Sequence, residues 1–341
     1  SAVADSNLCY RNSLVPMQLR VVHMEEVSYT PTGTLDVDLD RLSEPSDGYI
    51  DNVHTLRDQY GADLVCLLTT SSDYGGLAST MQHPSLKFES NGFNVNVWDQ
   101  LGAPNFTLAH EIGHNMGCLH NREDATWDSD YDYSGFCFGK RWMVGMQGYR
   151  TVMSYDSSPS AYNNRIPHFS NPLVSYEGVS TGNTGTENNA KVLSLSAPYV
   201  SNFRSSVVQG IVPSLFSMNL AEEATGSFKV RLAVQPQVPV DINVTISGDS
   251  NLILSGPTSL SFNSSNWNIS QTVMVTSHAD MNTDNGSATV LLSATSINSS
   301  QVQVTDSDIG AHSVPGHQVS GLVSNALGMG LSGVTVTFSD G

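Results

Sequence analysis

The stretch His110-Glu111-Ile112-Gly113-His114-Asn115-Met116-Gly117-Cys118-Leu119-His120 restricts this chain more than any other. It reads HExxH followed by GxxH. On a helix, residues four apart differ by only ~40° around the axis and ~6 Å along it, so His110 and His114 can share one zinc ion. A helix that simply continued would carry His120 ~9 Å beyond His114, out of reach of a metal whose bonds to imidazole are ~2 Å long. The helix must therefore stop, and Gly117 supplies the stop, because a residue without Cβ adopts the left-handed conformation that reverses the chain. Three neutral imidazoles leave a tetrahedral zinc with one open position, the arrangement of a catalytic site. Water there is acidified to a pKa of ~7, and Glu111, next to a ligand, can take its proton and hand it to a leaving amine. Those groups suit hydrolysis of a peptide bond without a covalent intermediate. By this chain's own composition the pattern would arise by chance roughly once in fifty thousand such sequences.

The rest of the composition narrows the partners. Against 14 basic residues stand 32 acidic ones, a formal charge of −18; such a field repels phosphate backbones and anionic lipid surfaces, which argues against nucleic acid as a partner. No apolar run approaches the ~20 residues that span a bilayer, so no membrane insertion is expected. Ser1 opens without a basic and then apolar export signal, and the chain reads as a processed or trimmed form. Cys9, Cys66, Cys118 and Cys137 form no CxxC pair; up to two disulfides or buried free thiols both fit, and the pairing stays open.

Along the chain, Met17–Met24 is strand-like, Ile50, Val53 and Leu56 recur at helical spacing after Asp47 and Gly48, and Ala62–Thr69 is a continuous apolar run suited to a central, doubly covered strand. This predicts a strand, helix, strand unit. A further strand over Phe93–Trp98 leads through Gly102 and Pro104 into a helix beginning near Phe106, and Lys191–Phe203 predicts a closing helix interrupted by Pro198. After Arg204, Ser, Thr, Asn and Val dominate. Short alternating runs at Phe228–Val234, Val240–Ile246 and Thr272–Thr276 predict a separate all-β module over 213–310, and from Val314 a Gly-rich piece looks like the start of another, cut at Gly341.

The pattern HExxHxxGxxH followed by Thr151-Val152-Met153-Ser154-Tyr155 resembles the metzincin metallopeptidases. AHEIGHNMG, RTVMSY and IPHFSNP look most like the reprolysin-like bacterial members, including the peptidyl-Asp metalloendopeptidase group. The likeness covers about residues 7–206 and implies an α+β catalytic domain over 1–206, with a mixed twisted sheet and an active-site helix. It implies zinc on His110, His114 and His120, Glu111 as catalytic base, and Met153 as an apolar floor beneath the metal. Tyr155 falls where astacin-like and serralysin-like members carry a tyrosine that approaches the zinc or the oxyanion; a plain packing tyrosine is the other reading. The chain departs from the reprolysin pattern at Asn121, where relatives usually carry an Asp that supports the turn below the site. Residues 166–179 would then wall the pocket for the residue after the scissile bond, with His168 near it, and a strand near Gly75–Met81 would pair with extended substrate. Arg150 or Arg165 would select an acidic side chain by bidentate pairing, as the Asp-preferring relatives suggest. Residues 213–310 resemble the Ig-like repeats of the Calx-beta and cadherin-like kind, which implies a β-sandwich for substrate or surface attachment and no chemistry of its own.

The acidic loop Glu123, Asp124, Asp128, Asp130, Asp132 reads either as solvated surface or as a calcium site, and it lacks the Gly of an EF-hand loop. The expectation is a monomeric, secreted, zinc-dependent endopeptidase acting on proteins or peptides outside the cell. Two rivals share the motif: a non-catalytic surface or adhesion protein with structural zinc, and a zinc amidase acting on cell-wall peptides.

Overall fold

The structure is a computed structural model that describes residues 1–71, 73–126, 130–157, 160–279 and 284–307. The expected further module at 314–341, and Asp128 of the acidic loop, lie outside the described residues. Five α-helices are described: α1 (Ala2–Asn12), α2 (Leu35–Ser43), α3 (Asn52–Tyr60), α4 (Thr107–Asn115) and α5 (Asn189–Val200). The first sheet has β1 (Val65–Thr69), β2 (Gly76–Ala78) and β3 (Phe93–Val97) in the order β1-β3-β2. It is mixed: β1 runs parallel to β3 and β2 antiparallel to it.

β3 is the strand buried on both faces. Phe93 and Val95 pack on Leu35, Leu39 and Leu42, which α2 presents on one side, each worth ~1.5–3 kcal/mol of burial. Asn94 and Asn96 point the other way: Asn94 Nδ2 donates to Asn115 Oδ1 of α4 (2.9 Å), Asn115 Nδ2 donates to the carbonyls of Ser79 and Phe93 (3.0 Å each), and Asn96 Nδ2 donates to Asn94 Oδ1 (2.8 Å). Polar residues on a buried strand thus strap the helix to the sheet, since a buried amide left unpaired would cost ~1–3 kcal/mol.

Two expectations are corrected. Met17–Met24 is not a strand, because Leu19 N–H donates to Asn7 Oδ1 (2.7 Å) and its carbonyl accepts from Asn7 Nδ2 (2.9 Å), which ties the stretch to α1 in place of a ladder. The apolar run ending at Thr69 forms β1, which lies at the sheet edge with Cys66 and Leu68 exposed, and the central place goes to β3. α3 and α5 fall where the spacing puts them, with Pro198 inside the last turn of α5. α2 completes the layer.

Small strands follow α4: β4 (Leu119–Asn121), β5 (Phe138–Gly139), β6 (Arg141–Val144), β7 (Gln147–Arg150), β8 (Asn164–Arg165), β9 (Ser175–Tyr176) and β10 (Val179–Ser180). β4 pairs in parallel with β5, and β7 pairs antiparallel with β6 and parallel with β8. The third part carries β11 (Ile211–Pro213), β12 (Ser217–Ala221), β13 (Thr225–Leu232), β14 (Val240–Gly248), β15 (Leu252–Leu254), β16 (Ser259–Phe262), β17 (Gln271–Ser277), β18 (Ser287–Ala294) and β19 (Ile297–Ser307). They build a four-stranded sheet, β11-β13-β17-β15, and a five-stranded one, β12-β19-β18-β14-β16. Phe228, Val230 and Leu232 of one sheet and Ile242, Val244 and Val290 of the other meet in one core, as alternation of period two requires. Ser300 Oγ donates to Gln18 Oε1 (3.1 Å), joining this part to the N-terminal one. No helix among the described residues is long and apolar enough to cross a membrane.

Candidate metal centre

α4 is buried along its whole length, and its placement begins with its first turn. The N–H groups of Thr107 and Leu108, without partners inside the helix, donate to the carbonyls of Gln100 (3.3 Å) and Leu101 (3.1 Å). At the other end Gly117 adopts φ +95°, Cys118 N–H reaches the carbonyl of Gly113 (2.8 Å) and Gly117 N–H that of His114 (2.9 Å). This pair of bonds is the glycine-dependent C-terminal cap, and it turns the chain back as expected from the spacing. β4 then carries His120 toward the helix face that bears His110 and His114.

The three imidazoles converge. Nε2 of His110 lies 3.2 Å from Nε2 of His114 and 3.2 Å from Nε2 of His120, and the last two are 3.0 Å apart. A tetrahedral ion with bonds of ~2.0–2.1 Å spaces its ligand atoms ~3.3 Å apart, so the triangle fits zinc without rearrangement. Two of the rings are oriented from behind: His110 Nδ1–H points at the carbonyl of Val152 (2.9 Å) and His114 Nδ1–H at that of Cys118 (2.9 Å). Each such bond leaves Nε2 as the lone-pair nitrogen facing the centre. Burial lowers all three basicities, His110 well below the ordinary value, His114 to about 4 and His120 to about 3. The rings are neutral at pH 7, as ligation needs. Among the described residues, these three histidines come together as a group able to hold a metal ion.

Glu111 is buried, and burial pushes its carboxyl up to about 8 while Arg165 pulls it down. Its side chain lies over β2. A Cβ on Gly76 would stand 2.7 Å from both Cγ and Oε1 of Glu111, so only glycine fits there. This partner was not anticipated; a glycine doublet in the Gly75–Met81 stretch was the available sign. Met153 is fully buried, and its sulfur sits where a Cβ on Gly113 would meet it at 2.5 Å. The turn that carries it is closed by Ser154 N–H on the carbonyl of Thr151 (3.0 Å) and is joined to His110 through Val152. Tyr155 lies against His120, ring centroids 3.9 Å apart, is partly exposed, and is pushed to about 12 by burial and by Glu111.

Asn121, buried in the position after the third histidine, does what an Asp there could not. Its Oδ1 accepts from Tyr155 N–H (3.0 Å) while its Nδ2 donates to Glu123 Oε2 (2.8 Å) and Asp124 Oδ2 (2.9 Å). Arg141 also meets Asp124 (2.9 Å), and Asp132 faces His83 (3.3 Å). The acidic loop is thus drawn into polar contacts of the chain itself. Cys9, Cys66, Cys118 and Cys137 are free thiols.

Beside the centre lies a cavity of about 370 Å³ whose walls include Arg150, Arg165, Tyr149 and Tyr176. Of the residues expected around a substrate pocket, Arg150 and Arg165 line it. His168 does not; it packs edge-on to Tyr176 (5.5 Å) one layer behind.

Residues 1–170 match Reprolysin_5, described as metallo-peptidase family M12. Among curated relatives, the peptidyl-Asp metalloendopeptidase of Xanthomonas campestris pv. campestris is 34% identical over 204 residues, which is 60% of this chain and 46% of that protein. Its counterpart from Stenotrophomonas maltophilia strain K279a is 35% identical over the same shares. That of Pseudomonas aeruginosa is 31% identical over 234 residues, 62% of this chain and 37% of the relative. The chain spans about half the length of the first two relatives or less. Solved structures with some likeness include a surface layer protein SbsC, domains 4 and 5 (20% identity, 29% of this chain, 53% of that chain, TM-score 0.19), and a Bacteroides ovatus GH5 xyloglucanase (15% identity, 29% of this chain, 19% of that chain, TM-score 0.22). At such scores they bear on neither fold nor function.

Proposed function

We propose that residues 1–206 are a zinc-dependent metalloendopeptidase domain of the metzincin kind, with His110, His114 and His120 as ligands and Glu111 as general base and acid. The observation that carries this reading is the triangle of Nε2 atoms 3.0–3.2 Å on a side beside a buried carboxylate. Zinc bound there supplies Lewis acidity, polarising a peptide carbonyl and acidifying water. Glu111 takes the proton of the attacking water on its carboxylate and returns it to the leaving amine. The incoming metal charge favours the ionised form of Glu111, offsetting the burial that raises its pKa. Val152 and Cys118 hold the rings of His110 and His114, Gly117 brings His120 back, and Met153 fills the space beneath. Tyr155, lying on His120 with its ring partly open to solvent, is placed to donate to the oxygen of the tetrahedral adduct. The outer edge of β2 pairs with extended substrate, and residues 166–179 stand behind the side chain that follows the scissile bond.

In the same reading the enzyme is secreted and monomeric, and it acts on extracellular proteins or peptides. Residues 213–310 are an Ig-like accessory of the Calx-beta or cadherin-like kind for substrate or surface attachment. The excess of 32 acidic over 14 basic residues supports solubility in that setting. The peptidyl-Asp name of the relatives supports a preference for an acidic residue next to the cleaved bond. The test is Glu111→Ala with zinc content measured alongside cleavage of a peptide library. Loss of at least ~100-fold in turnover with zinc retained is expected. Unchanged turnover would remove Glu111 as the base, and a zinc-loaded wild type that cleaves nothing would leave the adhesion reading in its place.

A further inference from the structure

Cys118 and Cys137 stand side by side at the turn that delivers the third histidine. Leu119 lies opposite Phe138 in the parallel pairing of β4 with β5, and Leu119 N–H donates to the carbonyl of Cys137 (2.8 Å). The two cysteines therefore hold the preceding position on each side of that pair, separated by the ~4.8 Å between neighbouring strands. Matching positions of paired parallel strands send their side chains to the same face, and both thiols enter the same core, fully buried. A disulfide needs Cα atoms ~4.4–6.8 Å apart with side chains on a common face, and this backbone placement meets both conditions. The other two cysteines are placed differently. Cys9 lies within α1, while Cys66, exposed on β1, faces Asn94 across the ladder and accepts from Asn96 Nδ2 (3.2 Å). The backbone around the pair is already held from both sides: Cys118 N–H donates to the carbonyl of Gly113 (2.8 Å), the Cys118 carbonyl meets His114 Nδ1 (2.9 Å), and the Cys137 carbonyl also accepts from Asn189 Nδ2 of α5 (2.5 Å). As thiols the two do little there beyond filling space, since Cys118 Sγ reaches only the carbonyl of Asn189, at 3.7 Å.

We infer that Cys118 and Cys137 form a disulfide under oxidising conditions, closing residues 118–137 into a covalent loop that contains His120 and Asn121. The oxidant is a small-molecule disulfide of the glutathione class. One cysteine sulfur attacks it, forming a mixed disulfide and releasing one molecule of the small thiol; the second cysteine sulfur then displaces the other molecule, and the protein S–S bond forms. The two protein thiols lose two electrons and two protons, and the small disulfide takes up both as two thiols. Because both sulfurs are buried once β4 and β5 have paired, the exchange takes place while that pairing is open, in the course of folding. The closed loop restricts the unfolded chain, and a ring of ~20 residues raises the melting midpoint of a domain of this size by ~6–12 °C. It also ties the turn that carries His120 covalently to β5, and through Asn189 to α5, with or without the metal. The inference does not rest on the peptidase reading, because the pairing is the same whether or not the centre cleaves peptides.

The experiment uses the full chain, reduced and unfolded in denaturant, then refolded by dilution into buffer containing zinc with oxidised and reduced glutathione. The product is quenched with an alkylating reagent and digested without reductant. Mass spectrometry is expected to show the peptide carrying Cys118 joined to the one carrying Cys137, lighter than their sum by two hydrogens, and to show the two apart once reductant is added. Recovery of both as alkylated thiols, or a link from either of them to Cys9 or Cys66, overturns the pairing. Thermal unfolding in the presence of chelator gives a second reading. Oxidised wild type is expected to melt ~6–12 °C above the reduced protein, Cys9→Ala to keep that difference, and Cys137→Ala to melt within ~1 °C under the two conditions. A difference that survives Cys137→Ala overturns the proposal. The peptide map is made on the unsubstituted chain, so it decides the pairing even where Cys137→Ala fails to fold.

Discussion

Gly117→Ala tests the turn on which the metal centre depends. The residue sits at φ +95°, where an L side chain is strained by ~1–3 kcal/mol. An added Cβ would also stand 3.0 Å from the carbonyl oxygen of Met81, 3.2 Å from the Tyr133 ring and 3.3 Å from the Tyr131 hydroxyl. That carbonyl is backbone and cannot swing away as a side-chain tip does, and the N–H of Met81 is bonded to His114 (3.1 Å), so relief is transmitted to the helix end. Crowding of this kind adds ~1–3 kcal/mol, for a total of about 2–6 kcal/mol. In a domain of this size each kcal/mol lowers the melting temperature by ~2–4 °C, which predicts a fall of ~4–24 °C in the zinc-free protein. A second effect concerns the metal. The carbonyl of Cys118 orients His114, and the same turn delivers His120, so zinc affinity should fall ~10-fold or more. At fixed free zinc a tenfold loss removes ~1.4 kcal/mol of the stabilisation that zinc adds. Thermal unfolding with chelator and again with buffered zinc measures both quantities. A variant that melts within ~1 °C of wild type and shows the same zinc increment would refute the argument that glycine is required there.

Three further outcomes follow from particular contacts. Burial holds His168 at about 4 against an ordinary 6.5, so the unfolded chain binds its proton first; stability therefore falls as pH drops from about 6.5 toward 4, and His168→Gln should flatten part of that slope in melting curves taken at intervals over this range. Asn121→Asp exchanges two N–H donations to Glu123 and Asp124 for a third carboxylate beside them; with both partners partly solvated, a loss of about 1–2 kcal/mol is expected, smaller at high salt, read from the urea midpoint at two ionic strengths. Phe228→Ala, deep in the core between the two β-sheets, should cost ~3–5 kcal/mol and lower a calorimetric transition of residues 213–310 while the zinc titration stays as in wild type. A zinc affinity that moves with Phe228 would show that the two parts do not fold independently.

Legibility from sequence followed the range of the interactions involved. The metal ligands were readable because their geometry is local: a helix fixes His110 against His114, and one glycine a turn later fixes the direction of His120. The alternating strands of the third part were equally local, since period two shows whatever the partner strand is. α2 was there to be seen too, as Leu35, Leu39 and Leu42 at helical spacing. The edge position of β1 was not, because an apolar run says that a strand is buried somewhere and not which neighbour it has; the pairing of β3 with both β1 and β2 decided that.

Residue types at fixed spacing therefore determined that this chain builds a three-histidine centre with a carboxylate beside it, since the helix backbone does the positioning. Only the tertiary structure decided what surrounds that centre. That Glu111 rests on Gly76, that Asn121 joins the third ligand's turn to Tyr155, and that Arg150 stands opposite Arg165 all depend on segments brought together from separate parts of the sequence. Such contacts form when distant pieces bury their surfaces in common, and no periodicity along the chain records them.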